Sequence, residues 1–315
     1  MYDVTALGEL LIDFSPEGTD GAGWPLLAAH PGGAPGNFLA ALSKYGRSTA
    51  FVGKVGADDF GTLLVDTLAR AGVEGRGIVK DPNVFTTLAF VTLQNGERSF
   101  SFARKPGADT CLRPEELDLE LIGRSRWFHF GTLSLTDEPA RAATRAAAAH
   151  AKAQGCRISF DPNYRPPLWD SPARARAEMT WGLEQADLVK IGDEELSFLW
   201  DCGPEAGAGR LLEEFGVSLV MVTLGAKGCY LRNGKGACLV PAPRVAPVDT
   251  TGAGDIFGGA ALSRLLELGK APEDLEGDEL EGIARFAVTA ASLSTQRRGG
   301  IPSIPAEEEV LAALA

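Results

Sequence analysis

One stretch of the chain reads Asp249-Thr250-Thr251-Gly252-Ala253-Gly254-Asp255-Ile256-Phe257. Gly252 and Gly254 permit backbone geometry that a side chain would obstruct. Apolar residues then recur at helical spacing, at Ile256, Phe257, Ala260, Ala261 and Leu265. The pattern predicts a loop that turns directly into a helix. Consecutive amides at a helix start have no partner within the helix and lie at the positive end of its dipole, so they suit a phosphate group.

Asp255 is the unusual residue of this stretch. A carboxylate next to a glycine cradle would repel a resting phosphate, yet it is well placed to take a proton from an attacking hydroxyl. Phosphoryl transfer needs this combination of an anion stabiliser and a base. Spacing alone leaves a second interpretation open, because acidic residues are common in the first turn of ordinary helices and a lone Gly-x-Gly is a weak signal.

The stretch resembles the second signature of the ribokinase-like carbohydrate kinase family, and Gly32-Gly33-Ala34-Pro35-Gly36-Asn37 resembles the first. Other segments resemble the bacterial fructokinases of that family: Gly8-Glu9 with Ile12-Asp13-Phe14, Val52 to Gly56, and Asp161-Pro162-Asn163 with Arg165. The resemblance covers essentially the whole chain. It implies a single ribokinase-like domain over residues 1–315 that uses ATP to phosphorylate a sugar, with fructose as the expected substrate.

Composition narrows the class of protein. The chain has 315 residues, 45% of them hydrophobic, which suits one large domain with a substantial core. Its net charge of -12 argues against nucleic acid and anionic membrane surfaces as partners. We find no apolar run near the ~20 residues needed to span a bilayer, and no signal-peptide pattern at the N-terminus. The five cysteines are scattered and form no Cys-x-x-Cys pair, so we expect reduced thiols in a cytoplasmic protein.

The order of elements predicts an α/β fold. From Trp127 onward, short apolar strands alternate with helices, which predicts a doubly wound, mostly parallel sheet flanked by helices. Residues 15–35 lack helical periodicity, and residues 84–106 contain a hairpin pattern around Asn95-Gly96. We expect these two segments to form a small β-sheet lid. Val4 to Leu11 is predicted to form the first strand, and the strand end at Asp13 is expected on the edge of the main sheet where ligands of such folds bind.

The resemblance implies a sugar site. Asp13 offers a carboxylate that accepts hydrogen bonds from hydroxyls, while Asn37 offers both a donor and an acceptor. Arg165 is expected to bind the transferring phosphoryl group or a substrate oxygen, and Asp255 to act as base beside the amides of Gly252, Ala253 and Gly254. The remaining expected sugar contacts are Gly32, Gly33, Phe102, Arg104 and Asn163. Ala103 and Lys105 depart from the family pattern around Arg104.

The resemblance also implies where ATP and metal ions bind. Thr223, Gly225 and Gly228 match the family's nucleotide loop, and Lys190 is expected to help position ATP. Glu195 matches a residue that organises Mg²⁺ through water, although Gly192 replaces the asparagine usually paired with it. A monovalent-cation site, expected to hold K⁺, is implied at Asp249, Thr251, Ser294, Gly299 and Ser303.

Several alternatives remain open at this stage. Ketodeoxygluconate kinase is the main rival, since Arg104 and Arg165 would also suit an acidic sugar. A nucleoside or riboside kinase is a third reading. From another class, the chain could be a non-catalytic sugar- or nucleotide-binding regulator, although the intact Asp255 and glycine cradle argue against that. Exposed lid strands would offer edges through which two copies pair, so a homodimer is expected.

Overall fold

The structure, a computed structural model, describes the backbone of residues 1–94 and 97–315 and the side chains of 1–91 and 101–315. The predicted hairpin tip, Asn95-Gly96, therefore lies outside the described residues. In chain order the strands are β1 (Tyr2–Leu7), β2 (Leu11–Thr19), β3 (Pro25–Gly32), β4 (Thr49–Gly56), β5 (Val73–Asp81), β6 (Thr87–Gln94), β7 (Glu97–Ala103), β8 (Ser125–Gly131), β9 (Arg157–Asp161), β10 (Leu188–Gly192), β11 (Leu219–Thr223), β12 (Cys229–Asn233) and β13 (Ala237–Val240).

Nine of these strands form the main sheet, in the order β13-β12-β11-β10-β9-β8-β1-β4-β5. Every pairing from β11 to β5 is parallel, and only the β11–β12 and β12–β13 pairings are antiparallel. Strand β4 is buried along its whole length, as expected for a parallel strand covered on both faces. The predicted doubly wound, mostly parallel sheet is confirmed.

Helices cover both faces of the main sheet, and two hydrophobic clusters lie on its opposite sides. The helices are α1 (Ala34–Lys44), α2 (Asp59–Arg70), α3 (Leu119–Gly123), α4 (Ala140–Ala153), α5 (Pro172–Gln185), α6 (Asp193–Trp200), α7 (Pro204–Phe215), α8 (Ala253–Leu268), α9 (Gly277–Ser294) and α10 (Glu307–Leu314). None of the helices that the structure describes is long and apolar enough to cross a membrane. All five cysteines are free thiols.

The other four strands form a small separate sheet in the order β3-β2-β6-β7. Its two outer pairs are antiparallel, and they are joined by a parallel pairing of β2 with β6 in which Leu11 lies opposite Thr87. We call this four-stranded unit the second sheet. It projects from the main fold at two places, after β1 and after β5.

The first predicted strand is wrong in one respect. Val4 to Leu11 is not one strand, because β1 ends at Leu7 in the main sheet and β2 begins at Leu11 in the second sheet. Asp13 therefore belongs to the second sheet, where it lies opposite His30, and not to the edge of the main sheet. A Cβ on Gly8 would lie 2.6 Å from the ring of Pro35, so the chain turns away at a residue that has no room for a side chain.

Candidate active site

A cavity of about 600 Å³ lies where the second sheet faces the starts of helices α1 and α8. Several of its polar side chains come from widely separated parts of the sequence. Eleven of the residues proposed from the sequence line it: Asp13, Gly33, Asn37, Phe102, Asn163, Arg165, Asp249, Thr251, Gly252, Asp255 and Gly299. The structure thus brings most of the expected sugar contacts, the expected base and part of the expected cation loop to one space.

Helix α8 begins at this cavity. Gly252 precedes it with φ 74°, a left-handed conformation that favours glycine, and the first bond of the helical ladder runs from Ile256 N–H to Gly252 O at 2.8 Å. The amides of Gly254 and Asp255 come before that bond and have no acceptor within the helix. Helix α8 therefore begins, as the sequence pattern predicts, with amides that suit an anion, although Ala253 N–H, expected to be one of them, donates to Thr250 O at 3.3 Å.

Asp255 lies in the first turn of α8 and accepts a hydrogen bond from Asn37 Nδ2 at 2.9 Å. Burial raises the pKa of its carboxyl to about 6, and the nearby charge of Asp161 acts in the same direction. Lys190, Asn37 and Arg165 oppose this rise. Because a general base works best with a pKa near the working pH, this environment suits proton abstraction near neutrality.

Asp13 enters the same cavity from β2. Burial raises the pKa of its carboxyl to about 7, an effect that Arg165 partly offsets and that Asp255 and Asp249 strengthen. A Cβ on Gly32 would lie 2.2 Å from Asp13 Oδ2. Gly32 itself does not line the cavity, so its part is to leave room for the Asp13 carboxylate on the neighbouring strand.

Glu9 is a cavity residue to which the sequence analysis gave no role. Its Oε1 accepts a hydrogen bond from Ala34 N–H at 2.8 Å, at the start of α1, and burial raises the pKa of its carboxyl to about 7. Next to it, Gly33 has φ 115° and a Cβ there would lie 2.4 Å from Glu9 O. In the sequence, Gly8-Glu9 is only a resemblance to the fructokinases, because no spacing rule connects Glu9 to a helix that starts 25 residues later.

Behind the cavity lies a buried charge cluster at the ends of β9 and β10. Lys190 Nζ donates to Asp161 Oδ2 at 2.9 Å, and a Cβ on Gly254 would lie 3.0 Å from that Nζ. Burial by itself would lower the pKa of Lys190, but the carboxylates of Asp161, Glu195 and Asp255 raise it, so its amine stays charged. Lys190 does not line the cavity. Its charge lies beneath the first turn of α8.

Glu195 belongs to the same cluster. Its Oε2 accepts from Gly192 N–H and its Oε1 from Tyr164 N–H, both at 2.7 Å. Burial and the charge of Asp161 raise the pKa of its carboxyl. Both oxygens of Glu195 thus accept hydrogen bonds from backbone amides close to the ends of β9 and β10. Among the described residues, no group of three or more His, Cys, Asp or Glu side chains lies close enough to hold a metal ion by itself.

Asn163 and Arg165 follow β9 and line the cavity. Asp161 Oδ1 accepts from Asn163 N–H at 3.2 Å, and Asn163 adopts φ 45°, which turns the chain sharply after the strand. Arg165 Nη1 donates to Tyr164 O at 3.2 Å. The guanidinium is close enough to Asp13 and Asp255 to influence both carboxylates.

Arg104 lies away from the cavity, contrary to the expectation of a sugar contact. Its Nε donates to Asp109 Oδ2, its Nη1 to Thr136 Oγ1 and its Nη2 to Leu133 O, each at 2.8 Å. The guanidinium is buried and its donors are directed at the protein. The reason is the turn after β7, which points Arg104 into the main fold, whereas Phe102 on that strand does line the cavity.

The expected nucleotide loop follows β11. Thr223 ends that strand opposite Gly192, and Gly225 begins a short 3₁₀ turn that closes with Leu224 N–H donating to Gly228 O at 2.9 Å. Thr223, Gly225 and Gly228 lie outside the cavity lining. They occupy the carboxyl edge of the main sheet, the edge at which ligands of doubly wound sheets bind.

The expected cation loop is brought together around Asp249. Its Oδ1 accepts from Thr251 Oγ1 at 2.7 Å and its Oδ2 from Gly299 N–H at 2.9 Å. Ser303 Oγ donates to Gly300 O at 2.7 Å, which places this hydroxyl in the adjoining turn. Ser294, at the end of α9, donates to Ala291 O at 2.7 Å. Asp249 thus joins the two segments, while the hydroxyls of both serines donate within their own turns.

Known proteins share this fold over nearly the whole chain. Residues 1–307 match the model of the pfkB family carbohydrate kinases. The chain is 42% identical over 315 residues to probable fructokinase-3 of Arabidopsis thaliana, covering 99% of this chain and 91% of that protein. The solved structure of a fructokinase with bound ATP from Xylella fastidiosa superposes with a TM-score of 0.90 at 31% identity, covering 100% of this chain and 98% of that one.

A second solved structure is a fructokinase double mutant from Vibrio cholerae in a form with fructose, ADP and potassium ion bound. It superposes with a TM-score of 0.87 at 32% identity and covers 100% of this chain and 99% of the other. Both the family model and these relatives extend over nearly the whole sequence, and the arrangement of the sheets is the ribokinase-like one that the motifs predict. The chain belongs to the pfkB family of carbohydrate kinases.

Proposed function

We propose that this protein is a fructokinase that transfers the γ-phosphoryl group of ATP to the primary hydroxyl of fructose. The observation that carries the choice of sugar is the charge of the cavity. Five carboxylates line it, from Glu9, Asp13, Glu17, Asp249 and Asp255, against the two arginines Arg165 and Arg298. Such a cavity offers acceptors to the hydroxyls of a neutral sugar, and its acidic side chains outnumber its arginines, so it provides little net positive charge to hold an added carboxylate.

The same observation weighs against ketodeoxygluconate kinase, the rival reading. That reading relied on Arg104 and Arg165 together. Arg104 is occupied by Asp109, Leu133 and Thr136, and Arg165 lies near two carboxylates that already draw on its charge. A non-catalytic regulator gains no support from a cavity that contains an intact base beside a helix N-terminus.

In the proposed mechanism, Asp13 and Asn37 hold the sugar and Asp255 removes the proton of its primary hydroxyl. The oxygen forms a bond to the γ-phosphorus as the bond to the β-phosphate oxygen breaks, and ADP leaves with that electron pair. Amides at the start of α8 stabilise the negative charge of the transferring phosphoryl group, and Arg165 faces that group from the other side. Lys190, beneath the first turn, adds a fixed positive charge.

ATP and metal ions have separate proposed places. ATP lies along Thr223, Gly225 and Gly228 with its phosphates toward Gly252 and Gly254. Mg²⁺ would neutralise phosphate charge. Glu195 would hold it through water, because each carboxylate oxygen keeps a lone pair beyond the one that accepts a backbone amide. K⁺ would be held by oxygens of the loop that Asp249 joins to Gly299.

The second sheet is proposed to act as a lid over a single domain. It lines one side of the cavity, and an ion pair between Glu17 of β2 and Arg298 of the core crosses the cavity mouth. Closure would exclude water, which otherwise competes for the phosphoryl group. Exposed apolar side chains of this region, among them Trp24, Leu26 and Leu27, support a homodimer formed through the same sheet.

A kinetic panel tests the function. ADP release is measured with saturating MgATP and fructose, ketodeoxygluconate, ribose or a nucleoside as acceptor. We expect fructose to give the highest kcat/KM. A preference for the sugar acid would overturn the choice of fructose while leaving the kinase, and ADP release that no sugar stimulates would overturn both. Light scattering of the protein in solution tests the dimer.

A further inference from the structure

Asn37 and Asp255 are in direct contact, although they come from opposite ends of the sequence. Asn37 Nδ2 donates to Asp255 Oδ2 at 2.9 Å. A carboxylate can only accept, so the amide nitrogen and not the oxygen of Asn37 must face it. Asn37 is 3% exposed. The contact joins the first turn of α1 to the first turn of α8.

The amide of Asn37 is enclosed on both sides, although its buried Oδ1 has no hydrogen-bond partner among the described residues. A Cβ on Gly300 would lie 2.2 Å from its Oδ1, and a Cβ on Gly252 would lie 3.1 Å from its Nδ2. Its backbone N–H donates to Gly33 O at 3.0 Å, while Glu9 caps the helix start at Ala34. The side chain therefore fills a slot that two glycines leave open, with little freedom to rotate.

The two helices are also in close contact one turn further along. A Cβ on Gly259 of α8 would lie 2.6 Å from Phe38 O and 2.8 Å from the Cβ of Ala41, both on α1. Such close approach fixes the spacing of the helix axes. The separation between Asn37 and Asp255 is consequently set by packed backbone rather than by mobile side chains.

We propose that Asn37 is a positioning residue for the base: it holds Oδ2 of Asp255 and leaves the other carboxylate oxygen to take the proton of the sugar hydroxyl. This role rests on the proposed function of Asp255 and adds to the expected contact of Asn37 with the sugar. Effective proton transfer needs the reacting atoms within about 3 Å of each other, so a freely rotating carboxylate would lose much of its effect.

The contact has an electrostatic part as well. Burial raises the pKa of Asp255 to about 6, and the hydrogen bond from Asn37 opposes that rise because it stabilises the ionised form. The other charged groups that act on Asp255 come from the elements around it, namely Asp161, Lys190, Arg165 and Asp13. With the Asn37 donor removed, the pKa of Asp255 is expected to move further up.

The first test compares wild type with Asn37→Ala and the isosteric Asn37→Asp. We expect kcat at pH 7 to fall by roughly 10²-fold in Asn37→Ala, the usual effect of a misplaced group. The acid limb of the pH profile of kcat/KM should move to higher pH, furthest in Asn37→Asp, where a second carboxylate faces the base. A rise in KM with an unmoved acid limb and an unchanged kcat would show that Asn37 only binds the sugar, and would overturn the inference.

A second pair of variants leaves Asn37 itself unchanged. Gly300→Ala places a methyl group against Asn37 Oδ1, at a residue whose φ of -78° any residue can adopt. Gly282→Ala is the matched control, because Gly282 is exposed on α9 and an added Cβ meets nothing within 4 Å. We expect Gly300→Ala to lower kcat and move the acid limb, and Gly282→Ala to do neither. A fully active Gly300→Ala with an unmoved limb would contradict the proposal.

One readout separates this inference from the proposed function. The pKa of Asp255 in the free enzyme can be followed by NMR of its labelled carboxyl carbon, with no substrate present. It should be higher in Asn37→Ala than in wild type whichever sugar the enzyme accepts. An unchanged pKa would overturn the role of Asn37 alone, whereas a wild-type enzyme that fails to phosphorylate fructose would overturn only the proposed substrate.

Discussion

The guanidinium of Arg104 lies 2.7 Å from the carboxylate of Asp109, and both side chains are at most 3% exposed. Thr87, the first residue of β6, also donates to Asp109. The pair therefore links the start of β6 to the residues that follow β7, where this hairpin of the second sheet joins the main fold. This buried pair explains why Arg104, although it matches the family pattern, does not reach the cavity.

Breaking this pair should destabilise the protein strongly. Arg104→Met leaves Asp109 buried without its counter-charge, which typically costs about 3–5 kcal/mol in the free energy of unfolding. Urea unfolding measures it. The matched control is Arg124→Ala, which removes an exposed pair with Glu120 and should cost less than about 1 kcal/mol. Equal effects of the two substitutions would contradict the importance of burial at Arg104.

Asp255→Asn should abolish most turnover. Loss of a general base typically lowers the rate by ~10²–10⁴-fold, while ATP affinity should stay nearly unchanged, because the amides at the start of α8 remain. Steady-state kinetics and calorimetric titration with ATP measure the two quantities. Asp278→Asn, an exposed acid in the first turn of α9, is the control and should be fully active. Retention of more than about half the activity in Asp255→Asn would exclude the base role.

Asp13→Ala should impair use of fructose. Removing an acceptor of sugar hydroxyls leaves buried donors unpaired, at about 1–3 kcal/mol, which corresponds to a loss of roughly 5–150-fold in kcat/KM. Thr19→Ala on the same strand is the control, since Thr19 is exposed and lies outside the cavity lining. If Asp13→Ala improves turnover of ketodeoxygluconate and leaves fructose unaffected, the proposed substrate is wrong.

Stability should depend on pH through Glu9. Its folded-state pKa of about 7 lies above the ordinary value of 4.5, so between these values the folded protein binds more protons than the unfolded chain. The free energy of unfolding should therefore fall as pH rises from about 5 to about 8. Glu9→Gln removes this proton while keeping an oxygen for Ala34 N–H, and should make the dependence shallower; Asp13, whose pKa burial also raises to about 7, contributes to the part that remains. Urea titrations of both proteins across that range measure it; parallel curves would refute the assignment to Glu9.

Potassium should activate the enzyme. The loop that joins Asp249 to Thr251 and Gly299 supplies oxygens close to the start of α8, and an ion bound there would stabilise the anion-binding turn. We expect a higher kcat in potassium buffer than in a buffer with a bulky organic cation, and no difference in Asp249→Ala. Wild-type rates that are equal in the two buffers would exclude the site.

The sequence predicts the main sheet well because its strands and helices alternate as continuous apolar runs and periodic segments. It also places the helix start at Gly252 correctly, since that feature is local. By contrast β5 was missed, because Gly75 and Gly77 interrupt its pattern, and helices α9 and α10 were not recognised as helices. The glycines of β5 leave no strand pattern for a short window to detect. In α9, by contrast, Leu280, Ile283, Ala284, Ala287 and Val288 have helical spacing, so this helix was predictable from the sequence.

Site residues that belong to a local motif were predictable from the sequence. Residues whose position depends on contacts with distant parts of the chain were not. Asp13 was assigned to the wrong sheet because Val4 to Leu11 has the same apolar pattern whether it is one strand or two. Arg104 was expected at the sugar, and only the buried Asp109 explains why it points elsewhere. Glu9 gave no signal because its partner, Ala34, is adjacent only in the folded chain.

The parallel pairing of β2 with β6 has a consequence for how the chain folds. Leu11 and Thr87 can meet only after β4, α2 and β5 have brought the intervening residues back across the main sheet. Closing so long a loop is entropically costly, and such non-local strand pairs form slowly. We therefore expect the second sheet to be the last part of the N-terminal third to assemble. During synthesis, a chain stalled before β6 would carry β2 and β3 as an unfinished hairpin with an open edge.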